Sequence, residues 1–329
     1  PIMKRTATGP STDASVLEAL AEKHDLPALI LEHRTLAKLK GTYVDVLPRL
    51  IDAHGRVHTH FNQAVTATGR LSSSEPNLQN IPIRTEWGRK IRQAFVAPPH
   101  RKLISADYSQ FELRIVASLA NDEKMIETFR RGEDIHTRTA AEIHGISLEA
   151  VTPEQRRDAK TVNFGILYGL GSGGLAQGTG MTRDEARAFI EKYFATFPGL
   201  ANYLEETKAL AHELGYVETL FGRKRKLPEI NSRQPMLRAA AERMAVNMPV
   251  QGTQADVIKM AMVKLHRGLP KISPDTKMIL QVHDELVFEV PVPDVRKVST
   301  YVKETMENVH TFKVPVVVEV QDGDNWDQA

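Results

Sequence analysis

Short apolar runs alternate with longer helical stripes along the chain, and this pattern predicts a mixed α and β fold. Residues 103–106 form an apolar run of strand length, and apolar side chains then recur at helical spacing from Phe111. Amphipathic helices are also predicted at 11–21, 29–39, 239–258 and near 294–309, and a last strand at 314–320. Pro249 should kink the third of these helices.

Asp107 lies where the predicted strand 103–106 gives way to the helix. A carboxylate at a strand end is held by the sheet and still reaches solvent, which suits a metal ligand. In isolation, however, an aspartate before a helix is more often an N-cap whose oxygen accepts a backbone N–H. The position of Asp107 alone therefore leaves both interpretations open.

A second acidic site is predicted at a hairpin far along the chain. The apolar runs 278–282 and 286–290 are separated only by His283, Asp284 and Glu285. Two strand-mounted acids that are distant in sequence and meet at one sheet edge can hold the pair of Mg²⁺ ions used in phosphoryl transfer. We therefore take Asp107 and Asp284 together as the candidate catalytic residues.

Composition limits the kinds of protein and site that the chain can form. Its 329 residues suit about two domains, and 41% apolar and 26% charged residues are typical of a soluble globular protein. The chain has no Cys, which excludes disulfides and thiolate-bound metal sites. No apolar run is long enough for a membrane-spanning helix. A net charge of +2 means that a polyanionic partner must bind local basic patches.

Three polar segments carry candidate contacts to nucleic acid. The loop 61–82 is rich in hydroxyls and amides; such clusters are usually simple turns, but their donors also suit sugar and phosphate oxygens. The basic run 223–226 is most often a solvated loop, with a phosphate role as the minority interpretation. The predicted helix 239–258 has donors at steps of four that could probe minor-groove acceptors. The candidate donors are Arg70, Asn77, Gln79, Asn80, Arg243, Asn247 and Gln251.

A helix start is predicted at 152–155 from a Thr cap, a Pro at the first position and a Gln three residues after the cap. Two cations one turn apart on this helix can clamp a triphosphate, and two rings farther along can stack on a base. The alternative is a solvated basic end that grades into core aromatics. The glycines between 165 and 180 predict a hinge or a tight turn. The residues that share the face are Arg156, Lys160, Phe164 and Tyr168.

Three motifs look like the signature motifs of family A DNA polymerases, the bacterial DNA polymerase I group. They are DYSQFELR at 107–114, RRDAKTVNFGILYG at 156–169 and QVHDE at 281–285. Four other segments are similar to the family as well: TATGRLSSSEPNLQNIP, GYVETLFGRKR, AAERMAVNMPVQGTQAD and NWDQA. The resemblance runs over essentially the whole chain.

The resemblance implies an α+β right-hand polymerase fold with an antiparallel palm sheet, helical fingers and a partial helical thumb. Residues 1–58 would be the C-terminal part of the thumb, 59–121 the first part of the palm, 122–232 the fingers and 233–329 the second part of the palm. We expect a fragment, with the earlier thumb helices and any exonuclease domain outside it.

The resemblance also implies roles for individual residues. Asp107 and Asp284 would be catalytic, and Lys160 would protonate the leaving pyrophosphate. The expected metal ligands are Asp107, Tyr108 through its carbonyl, Asp284 and Glu285. The expected nucleotide contacts are Arg156, Lys160, Phe164, Tyr168, His136, Gln110 and Glu112. The expected primer-template contacts are Arg70, Asn77, Gln79, Asn80, Arg243, Asn247, Gln251 and His283.

Two positions depart from the family pattern. Gln254 replaces the small residue expected in the motif GTxAD, and the stretch after Tyr168 has more glycines than expected. We expect neither departure to touch the chemistry, although the glycines should make the fingers less rigid.

The expected activity is templated transfer of deoxynucleotides to a primer 3′-hydroxyl in DNA replication and repair. It would use two Mg²⁺ ions, for which Mn²⁺ could substitute, and its partners would be primer-template DNA and deoxynucleoside triphosphates. We expect a monomer that binds no membrane and lies in the cytoplasm of a bacterial or phage-infected cell, with an organelle as the alternative. A non-catalytic fragment that binds primer-template DNA is the alternative function, because the thumb would be truncated.

Overall fold

The computed structural model describes residues 2–7, 9–83 and 85–329, and it confirms a mixed α and β fold. The strands in this part of the chain are β1 (Arg5–Thr6), β2 (Gly9–Pro10), β3 (His60–Asn62), β4 (Ser72–Ser74), β5 (Arg101–Tyr108), β6 (Tyr216–Glu218), β7 (Lys224–Lys226), β8 (Lys277–Val282), β9 (Glu285–Pro291) and β10 (Val318–Gly323).

Helices make up most of the remaining structure. The α-helices of the described residues are α1 (Ala14–Ala21), α2 (Asp25–Leu39), α3 (Glu86–Gln93), α4 (Phe111–Ala120), α5 (Glu123–Arg130), α6 (Ile135–His144), α7 (Pro153–Leu167), α8 (Ser172–Thr179), α9 (Arg183–Thr196), α10 (Pro198–Leu214), α11 (Pro235–Ile272) and α12 (Val295–Glu307). A π-helical turn at Lys40–Val44 and 3₁₀ turns at Leu47–Leu50, Leu78–Asn80, Leu148–Ala150 and Val292–Asp294 complete the set.

A four-stranded antiparallel sheet in the order β10, β5, β9, β8 carries the candidate acids. Its second strand, β5, is paired on both sides, and Ile104 and Ala106 within it are fully buried. The predicted hairpin is confirmed, because β8 and β9 pair directly and only His283 and Asp284 form the turn. The turn and the end of β5 therefore lie at the same edge of the sheet.

Helix α12 covers this sheet and contacts β5, β9 and β10. Val298, Val302 and Met306 recur at steps of four and are fully buried, so each contributes about 1.5–3 kcal/mol of apolar burial. The Tyr108 hydroxyl donates to the Met306 carbonyl at 2.9 Å. This contact ties the end of β5, next to Asp107, to the helix behind the sheet.

Side-chain caps define several helix starts in the region 122–215, among them those of α6 and α7. Asp134 accepts from the Thr137 amide at 2.7 Å and so begins α6. The predicted capping box of Thr152 and Gln155 is confirmed at the start of α7, where each side chain accepts from the other residue's amide. The capping box fixes the residue at which α7 begins, and it therefore also fixes which side chains share the face of Arg156 and Lys160.

The glycine-rich stretch contains both a tight turn and a helix. A tight turn occurs only at 168–171, and the following residues form α8. Leu175 of α8 is fully buried, and this burial offsets the low helix propensity of glycine. At Gly165, a Cβ would come within 2.4 Å of the Leu170 side chain, so a residue with a side chain would not fit. The glycines thus permit close packing as well as a turn.

Several element bounds differ from the prediction. Strand β5 extends through Asp107 to Tyr108, because ladder pairing continues to that residue. Helix α11 is longer than predicted at both ends and runs through Pro249 as one helix of 38 residues. The last strand lies a few residues later than 314–320, where it pairs with β5.

Internal contacts divide the chain into two units: Pro1–Phe61, Ser73–Val96 and Asn325–Asp327 form one, and Asn62–Ser72, Ala97–Asp324 and Gln328–Ala329 form the other. In the smaller unit, the Tyr43 hydroxyl donates to the Asn80 carbonyl at 2.7 Å, and the Arg92 guanidinium lies 4.3 Å from the centre of the Trp326 ring. The boundaries of thumb, palm and fingers stay a prediction. As far as the described residues go, no helix combines the length and apolar character needed to span a membrane.

Candidate active site

Two aspartates from different strands meet at one end of the four-stranded sheet. Asp107 is the penultimate residue of β5 and lies opposite Glu285, the first residue of β9. Asp284 lies in the adjoining turn, and its carbonyl accepts a hydrogen bond from the Tyr108 amide at 3.3 Å. The structure thus brings together the two acids that the sequence places 177 residues apart.

Neither carboxylate has a cationic partner among the described residues. Burial raises the pKa of both Asp107 and Asp284. Neighbouring carboxylates, led by Asp284, raise the pKa of Asp107 further. The end of the sheet is therefore a concentration of negative charge that no ion pair of the described residues neutralises, although the charges of His283 and Arg70 lower the pKa of Asp284 against the effect of burial.

This charge pattern fits a divalent cation. The described residues form no cluster of three or more His, Asp or Glu that could hold an ion by themselves. Magnesium, however, is commonly bound through one or two carboxylates together with water and substrate phosphates. Asp107, Asp284 and the Tyr108 carbonyl could supply the protein share of such a site. The carboxylate of Glu285 already accepts from the Ser105 hydroxyl at 2.7 Å.

The first cation on the face of α7 already has a partner. Arg156 donates to the two oxygens of Asp134, from Nε at 3.1 Å and from the terminal nitrogen at 2.9 Å. Burial opposes ionisation of Asp134, but hydrogen bonds from Arg156 and Thr137 outweigh it and hold the pKa of Asp134 well below its usual range. Lys160, one turn further, is exposed and forms no ion pair with the described residues.

His136 lies in the core between α6 and α7 and is only 2% exposed. Its Nδ1 is 2.9 Å from the Asn163 amide nitrogen, which can only donate, so the imidazole proton lies on Nε2. Burial lowers the pKa of His136 to about 4, against the charge of Asp134. A contact of His136 with a triphosphate stays a prediction, and at neutral pH it would be made by an uncharged ring.

Tyr168, at the end of α7, begins a chain of hydrogen bonds. Its hydroxyl donates to one oxygen of the buried Glu112 at 2.7 Å, and Arg70 donates to the other oxygen at 2.6 Å. Burial and the adjacent carboxylate raise the pKa of Tyr168 to about 12. The same Arg70 nitrogen also donates to the side-chain oxygen of Gln254 at 2.6 Å. The negative charge of Glu112 raises the pKa of Asp284, and the positive charge of Arg70 lowers it. The hydrogen-bonded network therefore lies next to Asp284.

The predicted donors of α11 lie in three different environments. The stem of Arg243 packs on Gly169, where a Cβ would be 2.3 Å from the Arg243 Cγ. The side-chain oxygen of Asn247 is buried and has no hydrogen-bond partner among the described residues. Gln251 lowers the pKa of Tyr168 against the larger effect of burial, so it lies beside that hydroxyl. His283 is exposed in the turn beside Asp284.

Three further predicted DNA contacts belong to the smaller unit. The Asn77 side chain caps a 3₁₀ turn by accepting from the Gln79 amide at 3.0 Å, and Asn77 and Asn80 are exposed. These contacts explain the turn chemistry of the loop. The assignment of Asn77, Gln79 and Asn80 to DNA stays a prediction.

The basic run 223–226 is not simply solvated. Arg223 is partly buried and donates to Asp256 through two nitrogens, at 2.9 and 2.7 Å. Lys224 lies 4.5 Å from the centre of the Tyr216 ring. The expectation of a solvated loop is therefore wrong for Arg223, because buried Asp256 requires a cation.

Sequence reasoning missed two residues that organise the site. Asp134 pairs with Arg156 and lies 3.5 Å from the side chain of Gln110, but only an N-cap signal marks it in the sequence. Gln254 departs from the family pattern, and the sequence predicts no part for it in the chemistry. Its bond to Arg70 shows that it contacts a predicted primer-template residue.

A model described as DNA polymerase family A matches residues 1–328. DNA polymerase I of Pseudomonas aeruginosa is 53% identical over 332 residues, which cover 100% of this chain and 36% of that protein. The thermostable DNA polymerase I of Thermus aquaticus is 52% identical over 317 residues, covering 96% of this chain and 38% of that protein. The chain thus spans less than two fifths of the length of these relatives.

The fold comparison agrees with the sequence comparison. The POL domain of Pol1 from M. smegmatis, solved as a complex with DNA primer-template and dNTP, superposes with a TM-score of 0.95 at 44% identity. The match covers 100% of this chain and 58% of that one. The right-hand polymerase fold implied by the three motifs is confirmed, and the chain belongs to DNA polymerase family A.

Proposed function

We propose that this chain transfers deoxynucleotides from deoxynucleoside triphosphates to a primer 3′-hydroxyl under the direction of a DNA template, in replication and repair. The observation that carries the proposal is the meeting of Asp107 and Asp284 at one sheet end without a cationic partner, in a chain of this family. A solved relative in complex with primer-template and dNTP supports the same partners here.

Asp107, Asp284 and the Tyr108 carbonyl are the groups that we assign to two divalent cations, Mg²⁺ or, as a substitute, Mn²⁺. Such ions, when bound, lower the pKa of the 3′-hydroxyl and neutralise charge on the transferring phosphate. The two aspartates must be ionised for this role, and a bound cation favours their ionised form against the effect of burial. Glu285 takes a supporting place, because Ser105 already donates to it.

The face of α7 is assigned to the nucleotide. Lys160 has no ion pair with a described residue and can approach the triphosphate directly, where it would also protonate the leaving pyrophosphate. Arg156 must first leave Asp134. Phe164 and Tyr168 supply apolar ring surface for the base, and neutral His136 can offer only a hydrogen bond from Nε2.

Gln110 and Glu112 are assigned to the sugar. Glu112 is buried, and each of its oxygens already accepts a hydrogen bond. A ribose would bring its 2′-hydroxyl against this side chain and lose hydrogen bonds to water without regaining them, at a cost of roughly 1–3 kcal/mol. We therefore propose that Glu112 selects deoxyribose.

Contacts to the primer-template are assigned to donors in both units. We propose that they reach minor-groove and phosphate oxygens, which position a duplex without reading its sequence. The assigned residues are Arg70, Asn77, Gln79, Asn80, Arg243, Asn247, Gln251 and His283. The division into thumb, palm and fingers, a monomeric state and a cytoplasmic location belong to the same proposal.

Primer extension with Mg²⁺ tests the proposal, with Asp107→Asn and Asp284→Asn as matched variants. We expect extension by the wild type, its loss in both variants, and primer-template affinity within about twofold of wild type in fluorescence anisotropy, because the acids are assigned to metal rather than DNA. Wild-type binding without extension would favour the non-catalytic fragment instead. Substantial turnover by either variant would overturn the metal assignment.

A further inference from the structure

Among the described residues, the side chain of Gln254 hydrogen-bonds Arg70 alone. It is 3% exposed, and its side-chain oxygen lies 2.6 Å from a terminal nitrogen of Arg70. A guanidinium has no acceptor, so the amide must present its oxygen to this contact. The small residue expected at this position in the family pattern could not make the bond.

The helical turn that carries Gln254 is anchored on both sides. The preceding Thr253 is fully buried and accepts from the Leu220 amide at 3.0 Å. Two residues further, Asp256 accepts from two nitrogens of Arg223 and from the Thr219 hydroxyl. The amide oxygen of Gln254 is therefore a fixed point, whereas Arg70 is a long side chain on a loop that retains 31% of its exposure.

The two acceptors of Arg70 use the same nitrogen. The terminal nitrogen that donates to Gln254 also donates to Glu112, at 2.6 Å in both cases. The other terminal nitrogen and Nε form no hydrogen bond with the described residues. One edge of the guanidinium is thus held by the protein, and its remaining donors are left for a ligand.

We propose that Gln254 is a positioning residue that holds Arg70 in the orientation needed at the primer terminus. This inference rests on the proposed function, which assigns Arg70 to the end of the primer-template. Gln254 and Glu112 hold one nitrogen of Arg70, and the free nitrogens donate to the acceptors of the terminal base pair. Pre-orientation lowers the entropy lost when those bonds form.

A neutral acceptor suits this task better than a second carboxylate would. The Gln254 amide fixes the direction of Arg70 without adding a negative charge that would compete with DNA for the guanidinium. It also stabilises the Arg70–Glu112 ion pair, and through Glu112 it adjoins Tyr168. The terminal base pair and the sugar pocket are thereby linked through one arginine.

A double-mutant cycle on Gln254 and Arg70 tests the proposal. Gln254→Met keeps the volume and removes the acceptor, Arg70→Ala removes the donor, and Thr128→Val is the control, because it removes a buried hydroxyl of α5 whose hydrogen bond to the Lys124 carbonyl involves neither Arg70 nor the turn that carries Gln254. We measure single-turnover extension at saturating nucleotide, the apparent nucleotide Kd, and primer-template affinity by anisotropy.

Gln254→Met should slow extension from a paired terminus about 10-fold and weaken primer-template binding about 3-fold, with the nucleotide Kd changed less than 2-fold. In the Arg70→Ala background the same substitution should have no further effect, because the arginine that the Gln254 oxygen holds is gone. Gln254→Glu, which keeps an acceptor, should restore the rate to within about 3-fold of wild type. Thr128→Val should leave all three quantities within 2-fold.

Equal effects of Gln254→Met with and without Arg70, or the same loss in Thr128→Val, would overturn the proposal. Should Gln254→Met unfold, as judged by its thermal denaturation, Gln254→Asn takes its place, since it withdraws the oxygen by one methylene. Failure of the wild type to extend primers would contradict the proposed function alone, because the anisotropy cycle measures the coupling of Gln254 and Arg70 without catalysis.

Discussion

The ion pair between Arg156 and Asp134 should compete with the incoming triphosphate, and Asp134→Asn should therefore tighten nucleotide binding. The partners are 45% and 32% exposed, so the pair lies near the surface, where such pairs contribute about 0.2–1 kcal/mol. Loss of a competitor of that strength corresponds to a decrease in nucleotide Kd of up to about 5-fold. Asparagine also caps helices well, so α6 should still begin at residue 135.

The assay is single-turnover incorporation of one nucleotide over a range of nucleotide concentrations, which separates Kd from the maximal rate. Glu133→Gln is the matched control, because it breaks the ion pair between Glu133 and Arg138. This pair also lies at the start of α6, but it does not involve Arg156. The control should leave Kd unchanged. An unchanged or weaker nucleotide affinity in Asp134→Asn would refute the view that Arg156 must leave Asp134 to bind phosphate.

Three other predictions follow from the charges of the site. Asp107→Asn should raise the Tm by roughly 2 °C or more in the absence of Mg²⁺, because it removes a carboxylate whose pKa burial and neighbouring acids raise; a lower Tm, measured by calorimetry, would contradict the unneutralised charge. Lys160→Ala should lower both the single-turnover rate and nucleotide affinity, since a cation on the triphosphate acts in ground and transition states; an unchanged rate at saturating nucleotide would return Lys160 to the solvated surface. The folded protein should lose up to about 3 kcal/mol of stability between pH 6.5 and about 4, because His136 stays neutral when folded and takes up a proton when unfolded. The measurement is denaturant unfolding across that range, and His136→Gln should flatten the profile.

Local patterns in the sequence predicted the frame of the site correctly. The capping box of Thr152 and Gln155 depends on residues within one turn, and the hairpin at His283 and Asp284 depends on two apolar runs and a short connection. Both signals are contained in segments of fewer than about 15 residues, where backbone chemistry dominates. The shared edge of Asp107 and Asp284 followed from these local predictions together with the geometry of a sheet.

Contacts between distant segments could not be predicted in this way. Arg70 and Gln254 are 184 residues apart, and neither position carries a pattern that names the other. The same holds for Arg223, whose solvated-loop prediction failed because Asp256 lies 33 residues away on the buried side of α11. Buried polar groups need partners, but which side chain supplies the partner depends on the complete fold. The sequence therefore predicts the types of residue in the site reliably, but it does not predict which of them hydrogen-bond each other.

The charges that the protein leaves unpaired indicate where a ligand completes the site. Arg156 is neutralised by Asp134 and Arg70 by Glu112, so these cations can leave one partner for another at moderate cost. Asp107, Asp284 and Lys160 form no ion pair among the described residues. A metal-bound triphosphate carries both missing charges in one molecule, cations for the aspartates and phosphate for the lysine. The positions of the unpaired aspartates and of the unpaired lysine therefore say more about the proposed substrate than the net charge does. The net charge is only +2, because acidic and basic residues cancel over the whole chain.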